Sequence, residues 1–215
     1  MKKFASFFAV FLFITLFAVA SEAGDRNIPV EVAQLTDSLK KQFAPDRRVA
    51  LLDIDYSFSD KNVMLRGVTT SAEAKNALLK ELARKGYTVM DCLELLPDVK
   101  GLEGKTCGII NVSVANMRVA PDFSSEMMTQ SLMGMPVRVL QRDGWVRIQT
   151  PDNYIAWVHR VGVHPVTEEE MAAWNKAEKI VVTAHYGFVY SEPNQTSQTV
   201  SDVVAGNRLK WEGSK

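Results

Sequence analysis

The sequence predicts an α+β leader domain followed by all-β small barrels, the second of them incomplete. Two amphipathic helices interleaved with three strand-like runs before residue 100 predict the leader. Beyond Lys105 the texture changes to short strands with turn signals every eight to twelve residues or so, which predicts small barrels. A set of residues recurring at a fixed offset predicts that the second barrel copies the first and stops short. At 47% hydrophobic and 23% charged, the 215 residues exclude collagen-like, disordered and multi-span membrane classes. The 25 basic and 25 acidic side chains cancel, so no net field favours nucleic acid.

Residues 1–23 read as a secretory signal peptide: Met1-Lys2-Lys3, an apolar run from Phe4 to Ala20, and small residues for cleavage after Ala20 or Ala23. The run is short for a membrane span, and no cysteine at either mature start is placed to take a lipid. The expectation is an exported protein of the periplasm or cell envelope, with no transmembrane span after cleavage. Cys92 and Cys107 are the two cysteines. An oxidising compartment permits a disulfide between them without requiring one.

The leader spans residues 24–100. Val32, Leu35, Leu39 and Phe43 recur at helical spacing and stop at Ala44-Pro45. Arg48 to Tyr56 and Val63 to Val68 follow as strands of a hairpin, with Ser57 to Asn62 as a longer loop. Thr70 and Glu73 form a capping-box pair for a helix whose apolar face is Ala74, Leu78 and Leu82, and Gly86 stops it. Tyr87 to Leu96 reads as a strand closed by Pro97, completing an α-β-β-α-β order.

The first barrel spans residues 106–164. Its strands are Gly108 to Val114, Asn116 to Arg118, Pro136 to Gln141, Trp145 to Thr150 and Tyr154 to His159, with turns at Asp143-Gly144 and Pro151-Asp152-Asn153. Residues 165–179 form a linker helix opened by a second capping box, Thr167 with Glu170, and ending near Lys179. Residues 180–215 form the second barrel. Pro121 recurs as Pro193 (193 − 121 = 72), and Ser125 and Gly134 recur as Ser197 and Gly206 at that shift. Met117, Met128, Leu132 and Val137 meet Val189, Val200, Val204 and Leu209. The same shift carries Asp143 to Lys215, so nothing matches the strands from Trp145 and Tyr154. An unpaired apolar face around Val189, Val204, Leu209 and Trp211 is expected, on a stub that is poorly ordered or needs a partner. The alternative is a diverged tail that packs on the first barrel.

Asn116-Met117-Arg118 with Pro121, Gly134-Met135-Pro136-Val137-Arg138-Val139, Gly144-Trp145 and Tyr154-Ile155-Ala156-Trp157-Val158 together resemble a bacterial SH3 domain over about residues 107–163. Tyr186-Gly187-Phe188-Val189-Tyr190-Ser191-Glu192-Pro193 resembles the start of another. The whole order, an exported α/β leader, an SH3 domain, a helical linker and a second SH3 domain, resembles the noncatalytic front half of NlpC-type cell-wall cysteine peptidases (γ-D-glutamyl-L-diamino acid endopeptidases, dipeptidyl-peptidase VI-like). In that family a papain-like domain follows the barrels and cleaves the γ-D-glutamyl to diamino-acid bond of peptidoglycan stem peptides, and the adjacent barrel shapes the cleft. The resemblance implies peptidoglycan fragments or stem peptides as partners. No such domain follows Lys215 here, and a missing catalytic domain or another envelope protein is the further partner implied. The leader is also similar, by element order, to the BON-type α/β domain of envelope proteins.

No catalytic residue, metal ligand or cofactor is assigned from the sequence. Asp91-Cys92 is similar to the family's Asp-Cys-Ser-Gly nucleophile, but Leu93-Glu94 replaces Ser-Gly and the apolar context predicts a strand. A packed or disulfide-bonded cysteine is the expectation there. His159, His164 and His185 lack metal-ligand spacing and read as barrel-surface or linker residues. No glycine-rich phosphate cradle is present among the 12 glycines.

The candidate ligand-binding residues are Arg118, Trp145, Tyr154 and Trp157. Tyr and Trp stack on sugars or grip peptide. Trp145 also fits a wall of the barrel core, and alternation places Tyr154 and Trp157 on opposite strand faces. Arg118 is suited to a bidentate grip on a stem-peptide carboxylate, or equally to bracing a loop. The Met127-Met128 and Met133 to Met135 pairs read as plastic core. The function expected is an exported envelope protein whose barrels bind or position stem peptides as the noncatalytic part of a cell-wall endopeptidase. The alternatives are a truncated record of an active NlpC-type peptidase and an envelope protein-protein interaction module.

Overall fold

The computed structural model describes residues 28–213, so the signal peptide expected at 1–23 lies outside the described residues. The chain divides into two units, one ending at Leu95 and one beginning at Leu96.

In the first unit, α1 (Val30–Phe43) turns Val32, Thr36 and Leu39 inward. It ends at Ala44, where Pro45 disfavours helical backbone in the residue before it. Strands β1 (Leu52–Ser59) and β2 (Asn62–Thr69) pair antiparallel from Ser59↔Asn62. The loop expected over Ser57 to Asn62 is instead a two-residue turn, Asp60-Lys61. Asp60 takes the left-handed conformation (φ 52°), which a short polar side chain tolerates. The first strand also begins four residues later than Arg48, because Arg48 closes a turn on the Asp46 carboxylate at 2.7 Å.

Helix α2 (Ala72–Arg84) is capped by Ser71, whose Oγ accepts from the Ala74 N–H at 3.0 Å. The Thr70-Glu73 pairing expected from sequence does not form. Thr70 Oγ1 instead accepts from the Leu51 N–H at 3.0 Å, so the helix begins one residue later. Strand β3 (Thr88–Leu95) runs parallel to β2, giving a sheet of order β1-β2-β3. Val32, Leu39, Leu65, Leu78, Leu82 and Leu93 form the core between sheet and helices. Cys92 is exposed and free, contrary to the packed or bonded cysteine expected. Leu93 takes the inward position on β3, and alternation turns its neighbour outward.

In the second unit, β4 (Cys107–Ile110), β5 (Val114–Arg118), β6 (Met127–Leu132), β7 (Pro136–Asp143), β8 (Trp145–Gln149), β9 (Ile155–His159) and β10 (Val163–Val166) form one sheet. Its order is β10-β4-β7-β8-β9-β5-β6, with every pairing antiparallel. The single strand expected over Gly108 to Val114 splits, ending at Ile110 and resuming at Val114. Strands β6 and β10 were not anticipated. Met127, on β6, is 50% exposed rather than core, whereas Met133 is 8% exposed. Ile110, Met117, Val139, Val146, Ile148 and Val158 fill the interior.

Helix α3 (Glu168–Lys176) carries the expected Thr167–Glu170 capping box and buries Met171. It ends at Lys176, because Lys179 already belongs to the next strand. That strand, β11 (Lys179–Val181), is followed by β12 (Tyr186–Tyr190), β13 (Thr199–Val204) and β14 (Arg208–Lys210). The repeat holds at the level of register. Cys107↔Arg138 and Ile109↔Pro136 return as Lys179↔Lys210 and Val181↔Arg208. Val114↔Leu132 returns as Tyr186↔Val204. The Gly134 N–H donates to Ile110 O at 2.8 Å and the Gly206 N–H to Val182 O at 2.8 Å. Both glycines have φ near 90°, 81° and 93°.

The turn between β13 and β14 docks on the first repeat. Asn207 Nδ2 donates to Ser113 O at 2.8 Å and the Arg208 N–H to Met133 O at 2.9 Å. Ser113 Oγ donates to Asp202 Oδ2 at 2.8 Å. This docking changes the apolar face expected from sequence. Val189, Val204 and Leu209 are half-buried, and the exposed apolar residues are Ile180, Val181, Tyr186, Phe188, Val200 and Trp211.

Candidate functional site

The turn at Asp143-Gly144 delivers Trp145 to the first position of β8, directly opposite His159 at the end of β9. Val146 and Ile148 point into the core, so period-two alternation holds Trp145 on the outer face. Its ring meets His159 edge-on at 5.3 Å between centroids. Phe123, from the loop between β5 and β6, closes over both at 4.8 Å from Trp145 and 5.1 Å from His159. Phe123 is nevertheless 67% exposed, an apolar ring kept at the surface by a turn.

That turn is held by its own hydrogen bonds. Asp122 Oδ1 accepts from both the Ser124 N–H and hydroxyl at 2.6 Å, and Ser125 Oγ accepts from the Ala120 N–H at 2.9 Å. The Ser124 hydroxyl, its N–H and, more weakly, the charge of Arg118 hold the Asp122 carboxyl below its ordinary range. Arg118 ends β5 at a bulge and donates through Nη1 to Ser125 O at 2.6 Å. It therefore braces the loop that carries Phe123, and it also lines the cavity behind it.

The cavity, of about 330 Å³, lies between this loop and the outer ends of β5, β8 and β9. Asn116, Arg118, Phe123, Trp145 and His159 line it, with Val161 at its rim. An apolar slot with aromatic walls and one guanidinium at its edge suits a short peptide bearing a carboxylate. Among the described residues no cluster of three or more His, Cys, Asp or Glu is placed to hold a metal ion. No described helix is long and apolar enough to cross a membrane.

Of the four residues singled out in the sequence, Arg118 and Trp145 come together at this cavity. Trp157 shares the outer face of β9 but stacks under Arg147, whose Cζ lies 5.2 Å from the ring centroid. Tyr154 sits before β9 in a turn closed by Thr150, whose N–H donates to Tyr154 O at 3.0 Å; it does not line the cavity. Phe123 and Asn116 were missed. The signal for Phe123 was an apolar residue inside a Pro-Asp-Phe-Ser-Ser turn, where polar residues are the norm. A second cavity of about 330 Å³ lies between α3 and the sheet, lined by Cys107, Arg138, Gln149, Met171 and Asn175 among others. Burial raises the Cys107 thiol pKa there, and the Glu168 carboxylate adds to the effect. The unit that holds Cys92 contains no histidine, so no thiolate–imidazole pair is built within it.

Residues 117–161 match the family model of the bacterial dipeptidyl-peptidase SH3 domain. Among solved structures the chain is similar to an NlpC/P60 endopeptidase from Photobacterium damselae subsp. piscicida, at 15% identity and a TM-score of 0.42, covering 54% of this chain and 29% of that one. It is also similar to an NlpC/P60 family protein from Bacillus cereus, at 19% identity and a TM-score of 0.41, covering 51% of this chain and 48% of that one. This chain thus spans less than half the length of either. No curated protein matches it. The segment that carries Arg118, Phe123, Trp145 and His159 is thus similar to the SH3 domain of the bacterial dipeptidyl-peptidases.

Proposed function

We propose that this is an exported cell-envelope protein whose SH3 repeats bind or position peptidoglycan stem peptides, as the noncatalytic part of a cell-wall endopeptidase. The observation that carries the reading is the coincidence of the matched segment, residues 117–161, with the slot walled by Phe123, Trp145 and His159 and edged by Arg118. A stem peptide is short, extended and rich in carboxylates. The aromatic walls take its apolar side chains, and Arg118 offers its free nitrogens to a carboxylate while Nη1 stays on Ser125 O. Export rests on the charged start and apolar run of residues 1–23. The arrangement proposed is one SH3 domain joined by α3 to an incomplete second one at residues 180–215.

The test is co-sedimentation of the purified protein with cell-wall sacculi, alongside titration with a soluble L-Ala-γ-D-Glu-diaminopimelate tripeptide. Binding of both, weakened about tenfold or more by Trp145→Ala, is the expected result. Retention of full binding by Trp145→Ala contradicts the assignment of the slot.

A further inference from the structure

Cys107, Arg138 and Gln149 form one row across β4, β7 and β8, in register as Cys107↔Arg138 and Arg138↔Gln149. Val137, Val139 and Ile148 turn into the core, so alternation puts the Arg138 and Gln149 side chains on the outer face. Met171 and Asn175 of α3 face that row, and Pro136 and Pro151 flank it, around the second cavity of about 330 Å³. That volume is at the lower end of the range usual for small-ligand sites, about 300–1,000 Å³. All of its lining lies between residues 107 and 175, in the first repeat and α3, and none of it is shared with the aromatic slot.

A chain of hydrogen bonds orients the one cation in this lining. Gln149 is 9% exposed. Its Oε1 accepts from Arg138 Nη1 at 2.9 Å, and its Nε2 donates to Asn153 O at 3.2 Å. Asn153 is itself fixed at φ 71°, with its N–H donating to Thr150 O at 2.8 Å. A buried amide thus holds the guanidinium through one nitrogen and leaves the rest of its planar fork to a further acceptor. Arg138 makes no ion pair among the described residues. Glu168, which acts on the Cys107 thiol against the opposing charge of Arg138, is on the first turn of α3 and does not line the cavity. At the other end of α3, beside Asn175, Lys179 Nζ donates to Ala177 O at 2.9 Å and so offsets the negative carbonyl end of the helix.

We infer that this cavity is a second ligand site, one that takes the C-terminal carboxylate of a short peptide ending in small apolar residues. The carboxylate lies on the Arg138 fork, where two parallel N–H···O bonds are available. The small side chains pack against Met171, Pro136 and Pro151, and the Asn175 amide, which can both donate and accept, serves the peptide unit before the terminus. A bare inorganic anion uses the guanidinium and leaves the apolar walls idle. A peptide with an amidated end fills the walls and leaves the guanidinium without a counter-charge. The free-acid peptide satisfies both.

The probes are N-acetyl-Ala-Ala with a free carboxylate, its C-terminal amide and inorganic phosphate, each titrated against the full chain. Two readouts are taken: NMR shifts of the Gln149 and Asn175 side-chain amides, and the rate at which iodoacetamide alkylates Cys107, with exposed Cys92 as the internal reference. The free acid is expected to shift both amides saturably and to slow Cys107 while Cys92 keeps its rate. The amide and phosphate are expected to need at least about tenfold higher concentrations, the loss of a charge-assisted bond or of the apolar contacts. Arg138→Gln, at an exposed position, is expected to leave the unfolding midpoint near that of the natural protein and to erase the preference for the acid over the amide. Absence of shifts at both side-chain amides under a large molar excess of the acid overturns the inference. So does equal binding of acid and amide, equal binding of phosphate, or full binding retained by Arg138→Gln.

Discussion

Trp145 and His159 face one another as the terminal cross-strand pair of β8 and β9, their rings edge-to-face at 5.3 Å. Edge-to-face contact aligns the positive rim of one ring with the negative face of the other. It fixes both aromatics at the surface without sinking either into the core, and it leaves Phe123 to close the slot from the opposite loop.

Phe123→Ser is expected to change stability by less than about 1 kcal/mol, because the ring is mostly exposed in the free protein. The same change is expected to weaken stem-peptide binding about tenfold or more. Thermal unfolding and a binding isotherm, measured on one sample, separate the two effects.

Gly134 is held at φ 81°, and a Cβ there would lie 2.2 Å from Arg208 O. Gly134→Ala is therefore expected to push the β13–β14 turn off the first repeat, at a cost of about 1–3 kcal/mol. Faster amide exchange at Asn207 and Arg208, with the β7–β8 amides unchanged, is the expected readout.

Leu78 is fully buried on the inner face of α2. Leu78→Ala is expected to destabilise the first unit by about 2–5 kcal/mol. Exchange at residues 107–166 is expected to remain as in the natural protein, since the second unit has its own core.

Acid is expected to destabilise the fold from a definite direction. The Arg48 side chain and N–H hold the Asp46 carboxyl at about 2, against an ordinary 3.8. The backbone N–H of Thr167 likewise lowers Glu170. A carboxyl whose folded pKa lies below its unfolded value binds fewer protons when folded, so its contribution is present above about pH 4 and is lost as the pH falls toward 2. The urea midpoint should be flat between about pH 5 and 8 and fall below about 4, with Asp46→Asn shallower in that fall.

Cys92 is exposed on β3, while burial raises the pKa of Cys107. Since the thiolate is the reactive species, a thiol reagent near neutral pH is expected to modify Cys92 first, with Cys107 following at least about tenfold more slowly.

Strong local periodicity made much of this fold legible in advance. Val32, Leu39, Leu78 and Leu82 are where helical spacing put them, and the 72-residue offset extends to hydrogen-bond registers. What escaped the sequence was chemistry settled by two or three atoms. Thr70 lost the cap to Ser71 because Leu51 took its hydroxyl. Asp60 shortened a loop to two residues by adopting positive φ. Strand β6 went unseen because Met127-Met128-Thr129-Gln130 lacks β-branched alternation, and its pairing with β5 forms it nonetheless. At the site, Arg118 and Trp145 were visible as residue types at strand ends. Phe123 was not, because its role depends on a loop folding back over β8 and β9.

The measurement that tests the central claim most directly is a two-dimensional NMR titration of the isotope-labelled protein with the L-Ala-γ-D-Glu-diaminopimelate tripeptide. The account predicts saturable shifts at the Trp145 indole N–H, His159, Phe123 and Asn116, abolished by Trp145→Ala. Shifts that saturate elsewhere, or no shifts at a large molar excess of tripeptide over protein that itself co-sediments with sacculi, would contradict it.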